Sequence, residues 1–232
     1  MVVSFCLVTF SVYSLNIVTD LEEDAINKPN YKKLENKKML IVAISVISYI
    51  MALLIGAIVS LKSIIILLIP FIAGIFYSVK IKGFRLKNLF IGKNLTVSVS
   101  WALESSFLPY VVKSSEVVVF LCLFIFIKGM INTILFDMRD VRGDAKAGIE
   151  TIPVKLGRRK TFFLLLLLNT MLIPLIIMSG NIVQDYIHLL YLVVFYGYIY
   201  IIYFYIRPNH KLLYSIVVDD EWVLWMFLIR SL

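Results

Sequence analysis

Long apolar runs separated by short polar breaks dominate this sequence. Runs of about membrane-spanning length cover 39–60, 63–78, 95–112, 117–136, 161–179 and 187–206. Two shorter runs, 1–15 and 222–232, fall below the ~17–25 residues that a transmembrane helix needs. The pattern predicts an all-α, polytopic transmembrane helical bundle with six full spans and two partial ones. Because only Leu61 and Lys62 separate the first two full spans, we expect a helical hairpin there.

Composition excludes a soluble globular domain. The 232 residues are 61% hydrophobic and 16% charged, whereas soluble domains are about 45–50% apolar and 25% charged. We expect one membrane domain over 1–232, with no cleavable signal peptide at its start. Cys6 and Cys122 lie inside apolar runs, which predicts buried thiols rather than a disulfide.

The basic residues predict the orientation in the membrane. If each run crosses once, the segments 17–38, 79–93, 137–160 and 207–221 lie on one side and hold 19 of the 23 Lys and Arg. The positive-inside rule makes that side cytoplasmic, in an integral, multi-pass protein of the cell (plasma) membrane. The net charge of +8 comes with no nucleic-acid-binding motif, so we expect membrane lipids and no nucleic acid as partners.

Two clusters of oxygen-bearing side chains lie where apolar runs end on that side. On a helix, the members of each cluster share one face because they recur every three or four residues. Carboxylates are costly at a membrane boundary unless a cation accompanies them, and oxygen ligands suit Mg²⁺. Two Mg²⁺ ions bridged by a phosphate group are therefore expected. The clusters are Asn16, Asp20 and Asp24, and Asp137, Asp140 and Asp144.

Cationic side chains near the same boundary could stabilise a diphosphate leaving group. Pure topology explains each of them at least equally well, but Lys80 and Lys146 are favoured because each lies within a turn or two of a membrane end or of the acidic cluster. The candidates are Tyr77, Lys80, Lys82, Arg85, Lys87, Arg139, Arg142 and Lys146. Deeper in the spans, Glu104 and Lys128 either line a cavity or neutralise each other.

The two motifs resemble those of the UbiA superfamily of intramembrane prenyltransferases. The segment 137–157 reads DMRDVRGDAKAGIETIPVKLG and is similar to the family block D-x-x-D-x-x-G-D…G…T-x-P-V…G. The first cluster, N-x-x-x-D-x-x-x-D, is similar to the family's other motif. Tyr77-x-x-Lys80, Lys93-Asn94 and Asp220-Glu221-Trp222 also look like family features.

The resemblance implies a fold of nine helices around a central cavity, about eight of them present here, with cap loops 17–38, 79–93 and 137–160. It implies that two Mg²⁺ ions bind a polyprenyl diphosphate, whose ionisation gives an allylic carbocation that a lipophilic acceptor attacks. Asn16, Asp20 and Asp24 would hold one metal, and Asp137, Asp140 and Asp144 the other. The catalytic set would be Asp20, Asp24, Asp140, Asp144 and Lys80, with the diphosphate held by Tyr77, Lys80, Lys146 and Arg139.

The acceptor and the completeness of the chain stay open at this stage. The stretch Asp24–Pro29, DAINKP, is more similar to archaeal-type members that make digeranylgeranylglyceryl phosphate, which favours a geranylgeranyl donor and a glyceryl phosphate ether lipid acceptor. Carotenoid-chain and quinone or aromatic prenyltransferases are the alternatives within the family. A first helix is missing relative to the family and the last is short, so a truncated, catalytically incomplete remnant is another. An ion or solute transporter is the non-enzyme alternative.

Overall fold

The fold is known from a computed structural model that describes residues 1–21, 34–78, 86, 89–111, 115–146, 148–208, 211–219 and 221. Seven long helices form most of it: α1 (Val2–Thr19), α2 (Lys38–Val59), α3 (Lys62–Ser78), α4 (Gly92–Tyr110), α5 (Val117–Lys146), α6 (Ile152–Met178) and α7 (Ile187–Ile206). A 3₁₀ turn at Gln184–Tyr186 precedes α7. A short helix, α8 (Lys211–Tyr214), leads into a π-helical turn at Ser215–Asp219. No strand occurs in the described residues, and the all-α prediction is confirmed.

Five helices are long and apolar enough to cross a membrane, namely α1, α2 with the 3₁₀ turn before it, α5, α6 and α7. Helix α3 is apolar but shorter. The expectation that the first run is too short was wrong, because the helix continues through Asn16 to Thr19 and reaches 18 residues. The last run, 222–232, lies outside the described residues.

Helices pack beside their neighbours in the chain. Helix α1 contacts α2 and α3, and the contacts then run from α3 to α4, α5, α6 and α7 in turn. The α2–α3 hairpin is confirmed, and it closes on Gly56, where an added Cβ would come within 2.6 Å of Leu67 Cδ1. One buried apolar cluster joins α1 to α4 around Val8, Leu67 and Leu108, and another joins α5 to α8 around Ile134 and Phe204.

The predicted cap loop 137–160 is mostly helical. Helix α5 runs on to Lys146 and α6 begins at Ile152, so the loop prediction was wrong for all but a short connection. The charged side chains here lie on helix ends that extend past the apolar runs. A hydropathy pattern predicts such charged helix ends as loop. Cys6 is exposed and Cys122 partly exposed, so the prediction of buried thiols was also wrong. An apolar thiol on a lipid-facing helix surface needs no protein cover.

Helix α6 contains a break that glycine makes possible. Gly157 has φ 76° and ψ 162°, a backbone region that is essentially confined to glycine. The Thr161 hydroxyl donates to the Gly157 carbonyl at 2.9 Å, and Pro153 occupies the first turn, where its missing N–H is harmless. The segment 152–156 is thereby separated by a kink from the rest of α6.

Three contacts place the ends of α4, α5, α6 and α7 at one end of the bundle. Lys93 of α4 meets Asp137 of α5, the Lys155 ammonium lies 4.7 Å from the centre of the Phe90 ring, and Arg158 donates to the Tyr205 carbonyl. The second acidic motif therefore lies among helix ends that carry many of the basic residues.

Candidate active site

The second motif occupies the last turns of α5. Asp137 and Asp144 are buried, at 0% and 6% exposure, and Asp140 is partly buried. Beyond them the helix ends with Gly148 at φ 71°, where the Gly148 N–H donates to the Ala145 carbonyl and the Ile149 N–H to the Asp144 carbonyl at 2.9 Å. This is a Schellman arrangement, which glycine favours. It explains the glycine after the motif and fixes the backbone that carries Asp144.

Helix α4 holds both oxygens of Asp137. The Lys93 ammonium lies 2.6 Å from Oδ1, and the Asn94 amide donates to Oδ2 at 2.8 Å. Asn94 is itself buried. A buried carboxylate is tolerable only when it is paired and hydrogen-bonded, and these adjacent residues satisfy both conditions.

The Lys93 ammonium lies where the ends of α3, α4 and α5 meet. Besides Asp137, it lies within electrostatic range of Tyr77, on the last turn of α3, and of Asp144. Tyr77 is buried at 8% exposure. The structure thus gathers Tyr77, Asp137 and Asp144, all predicted site residues, around a lysine that was noted in the sequence but given no role.

Arg139 and Asp140 pair with each other. The guanidinium donates to both carboxylate oxygens, at 3.0 and 2.6 Å, and lies over the Phe136 and Tyr214 rings at 4.7 and 5.9 Å. Burial raises the pKa of the Tyr214 phenol to about 12, against the opposing effect of the Arg139 and Arg158 guanidinium groups. The phenol is therefore neutral at physiological pH. Arg139 thus has Asp140 as its charged partner.

The first motif is described only in part. Asn16 lies in the last turn of α1, and the backbone N–H of Asp20 donates to the Asn16 carbonyl at 2.9 Å. Asp20 is buried at 1% exposure. Asp24 and Lys80 lie outside the described residues, as do Lys82, Arg85 and Lys87, so their predicted roles stay predictions. Lys146 is exposed at the end of α5.

The oxygen-bearing side chains of the two motifs suit a hard cation, although the described residues alone do not form a complete metal site. Within the part of the chain that the structure covers, no three His, Cys, Asp or Glu side chains are close enough to hold an ion. Buried carboxylates at Asp20 and Asp144, with the partly buried Asp140 and the amide of Asn16, are nevertheless the oxygen ligands that Mg²⁺ prefers. The assignment of these residues to two metals remains a prediction.

The deep charges pair differently from the expectation. Lys128 lies 2.6 Å from Glu221 Oε1 and donates to the Tyr200 hydroxyl at 2.8 Å, and all three side chains are at most 1% exposed. Glu104 is also buried, and its Oε1 has no hydrogen-bond partner among the described residues. The pairing of Glu104 with Lys128 was wrong because α4 turns Glu104 toward Tyr49 of α2, whereas Lys128 faces α7.

Relatives among curated proteins share one name. Digeranylgeranylglyceryl phosphate synthase of Methanosphaera stadtmanae is 30% identical over 167 residues, covering 70% of this chain and 59% of that protein. The proteins of the same name from Methanococcus aeolicus and Sulfurisphaera tokodaii are 30% and 28% identical over 164 and 173 residues, covering 57% and 60% of their own lengths and 70% of this chain. The chain thus spans about three fifths of the length of the curated relatives it matches.

A solved structure and a family profile extend the likeness to nearly the whole chain. The structure of a UbiA homolog from Archaeoglobus fulgidus bound to DMAPP and Mg²⁺ matches with a TM-score of 0.72 at 17% identity, over 100% of this chain and 86% of that one. At that identity the match establishes a shared fold. The sequence profile of the UbiA prenyltransferase family matches residues 1–227. The chain belongs to the UbiA prenyltransferase family.

Proposed function

We propose that this protein transfers a polyprenyl group, geranylgeranyl or similar, from its diphosphate to a lipophilic acceptor in a Mg²⁺-dependent reaction. The observation that carries the proposal is the second motif itself, with Asp137 and Asp144 buried at one end of the bundle beside the Lys93 ammonium. Family membership supports the reaction class. The homolog of known structure supports the donor class and the metal, since it binds DMAPP and Mg²⁺.

The difficult step is the departure of diphosphate from an allylic carbon. Both electrons of the C–O bond leave with the oxygen, so negative charge accumulates on the diphosphate while the prenyl group becomes a carbocation. Two bound Mg²⁺ ions would supply most of the neutralising charge. Asn16 and Asp20 would hold one ion with Asp24, and Asp140 and Asp144 of the second motif would hold the other.

The protein adds a fixed electrostatic frame around that leaving group. Tyr77 at the end of α3 and Lys146 at the end of α5 lie on the same side of the bundle and would supply donors. Lys80 follows α3 in the sequence, outside the described residues, and would supply another. Preorganised donors in a site that excludes water stabilise developing charge more strongly than solvent does. The apolar helices below offer an environment that suits the isoprenoid tail and protects a carbocation from water.

For the acceptor we favour a glyceryl phosphate ether lipid. The three relatives are named as digeranylgeranylglyceryl phosphate synthases, in agreement with the DAINKP stretch. We place the acidic motifs on the cytoplasmic face of the cell membrane, because most Lys and Arg belong to the segments on that side.

The test is product formation in proteoliposomes that contain geranylgeranyl diphosphate and geranylgeranylglyceryl phosphate. We expect digeranylgeranylglyceryl phosphate by mass spectrometry, lost with EDTA and restored by Mg²⁺. Asp140→Asn should abolish the product. Asp185→Asn is the matched control, because Asp185 is exposed at the start of α7, at the other end of the bundle. Equal activity in the two variants, or product that survives EDTA, would refute the proposal.

A further inference from the structure

Lys93 is placed by a turn that only a glycine allows. Ile91, just before α4, has φ 66°. A Cβ on Gly92 would collide with the Leu86 carbonyl. The Leu89 N–H donates to the Leu86 carbonyl and the Gly92 N–H to the Leu89 carbonyl, at 3.1 and 2.9 Å. The tight turn sets the direction in which the first side chains of α4 leave the helix.

The pairing of Lys93 with Asp137 is asymmetric. The Asp137 side chain is 0% exposed, and both of its oxygens are held by α4, whereas the Lys93 side chain is 26% exposed. An ammonium group has three N–H donors, and the Asp137 carboxylate, 2.6 Å away at Oδ1, occupies only one side of it. Asp137 is therefore enclosed, while part of the Lys93 side chain stays exposed.

The Lys93 ammonium lies among residues predicted to bind the metals and the diphosphate. The ammonium lies within range of Tyr77 and Asp144, both predicted site residues, at the junction of α3, α4 and α5. Asp140 has Arg139 as its partner, so the acids of the motif have distinct environments. Asp137, whose two oxygens both contact side chains of α4, is poorly arranged to ligate a metal.

We propose that Lys93 is a catalytic residue that contacts the diphosphate of the donor, and that Asp137 is the positioning residue that holds it rather than a ligand of the second metal. This inference rests on the proposed function. When the C–O bond to the prenyl carbon breaks and its electron pair leaves with the oxygen, the Lys93 N–H groups donate to the diphosphate oxygens. No proton is transferred, and Asp137 balances the lysine charge while the site is empty of substrate.

The experiment is calorimetric titration of the purified, full chain in nanodiscs with inorganic pyrophosphate, repeated over a series of Mg²⁺ concentrations. We expect Lys93→Met and Asp137→Asn each to weaken pyrophosphate binding by about ten- to a hundredfold at every Mg²⁺ concentration, the range for one lost charge-assisted hydrogen bond. The double variant should bind no more weakly than either single one. The midpoint of the Mg²⁺ dependence should not move. Lys160→Met is the matched control, because Lys160 is exposed on α6, and it should bind as the wild type does.

Each alternative has its own signature. If Asp137 is a metal ligand, Asp137→Asn moves the Mg²⁺ midpoint upward and excess Mg²⁺ restores its affinity. If Lys93 merely anchors α4 on α5, Lys93→Met lowers thermal stability but binds pyrophosphate like Lys160→Met. Should the methionine variant not fold, Lys93→Gln, which still hydrogen-bonds a carboxylate, must show the same loss. A wild-type chain that binds no pyrophosphate at any Mg²⁺ concentration would contradict the proposed function itself.

Discussion

Replacing Lys128 by methionine should destabilise this protein more than any exposed lysine substitution does. Lys128 lies in α5, Tyr200 in α7 and Glu221 beyond the π-helical turn, so their contacts join two helices and the segment that follows them. The same segment also accepts hydrogen bonds from Asn132 at the Val218 carbonyl and from Tyr196 at the Val217 carbonyl. Loss of the lysine therefore removes the cationic member of a fully buried network.

The magnitude follows from the geometry. At a separation of 2.6 Å, the Coulomb attraction is roughly 6 kcal/mol for an effective dielectric constant of 20. Withdrawing the two charges from water costs several kcal/mol each, so the intact pair contributes little net stability. Removing one partner leaves the other charge buried and uncompensated, which costs about 3–5 kcal/mol. Lys128→Met combined with Glu221→Leu removes both charges and should recover most of that loss.

Thermal unfolding of the purified protein in detergent measures the effect. We expect Lys128→Met to lower the melting temperature on the order of 10 °C, with the double variant near the wild type and Lys160→Met unchanged. A melting temperature for Lys128→Met equal to that of Lys160→Met would refute the buried pair. A double variant that loses the sum of the two single losses would refute the reasoning from charge compensation.

Three further substitutions test separate features by the same unfolding assay. Gly157→Ala should cost about 1–3 kcal/mol because its backbone region is closed to other residues, whereas a loss below that range would contradict the break in α6. Gly129→Ala should destabilise the α4–α5 contact, since an added Cβ would lie 3.2 Å from the Ser98 Cα; an unchanged melting temperature would show that the helices are farther apart. Glu104→Leu should stabilise the protein by about 1 kcal/mol or more, because it removes a buried polar side chain whose Oε1 lacks a hydrogen-bond partner in the described chain, and a lower melting temperature would indicate an unrecognised partner of Glu104.

The sequence was sufficient for the features that depend on local pattern. Apolar runs predicted the helical bundle, and the two-residue break at Leu61 and Lys62 predicted the α2–α3 hairpin. The spacing of Asp137, Asp140 and Asp144 placed them on one face near the end of α5, as the structure has them. Gly148 and Gly157 also have local explanations in a helix cap and a helix break.

The sequence did not predict which side chains pair across helices. Lys93 and Asp137 are separated by 44 positions, and Lys128 and Glu221 by 93, so their contact depends on which helix faces which. The sequence left open whether Glu104 and Lys128 line a cavity or neutralise each other. Counted from the connection between α4 and α5, however, Lys128 lies about 7 Å deeper at 1.5 Å per residue. Helix periodicity gives the direction of a side chain relative to its own helix but does not identify the neighbouring helix.

The most direct test of the central claim is transfer of radiolabelled geranylgeranyl from its diphosphate in membranes that carry this chain. Geranylgeranylglyceryl phosphate, a quinone-ring acid and a carotenoid are offered separately, each with Mg²⁺ and with EDTA. We predict a labelled product with the glyceryl phosphate lipid that EDTA abolishes. Labelled product with another acceptor would contradict the acceptor assignment, and the absence of product from all three would contradict prenyl transfer by this chain.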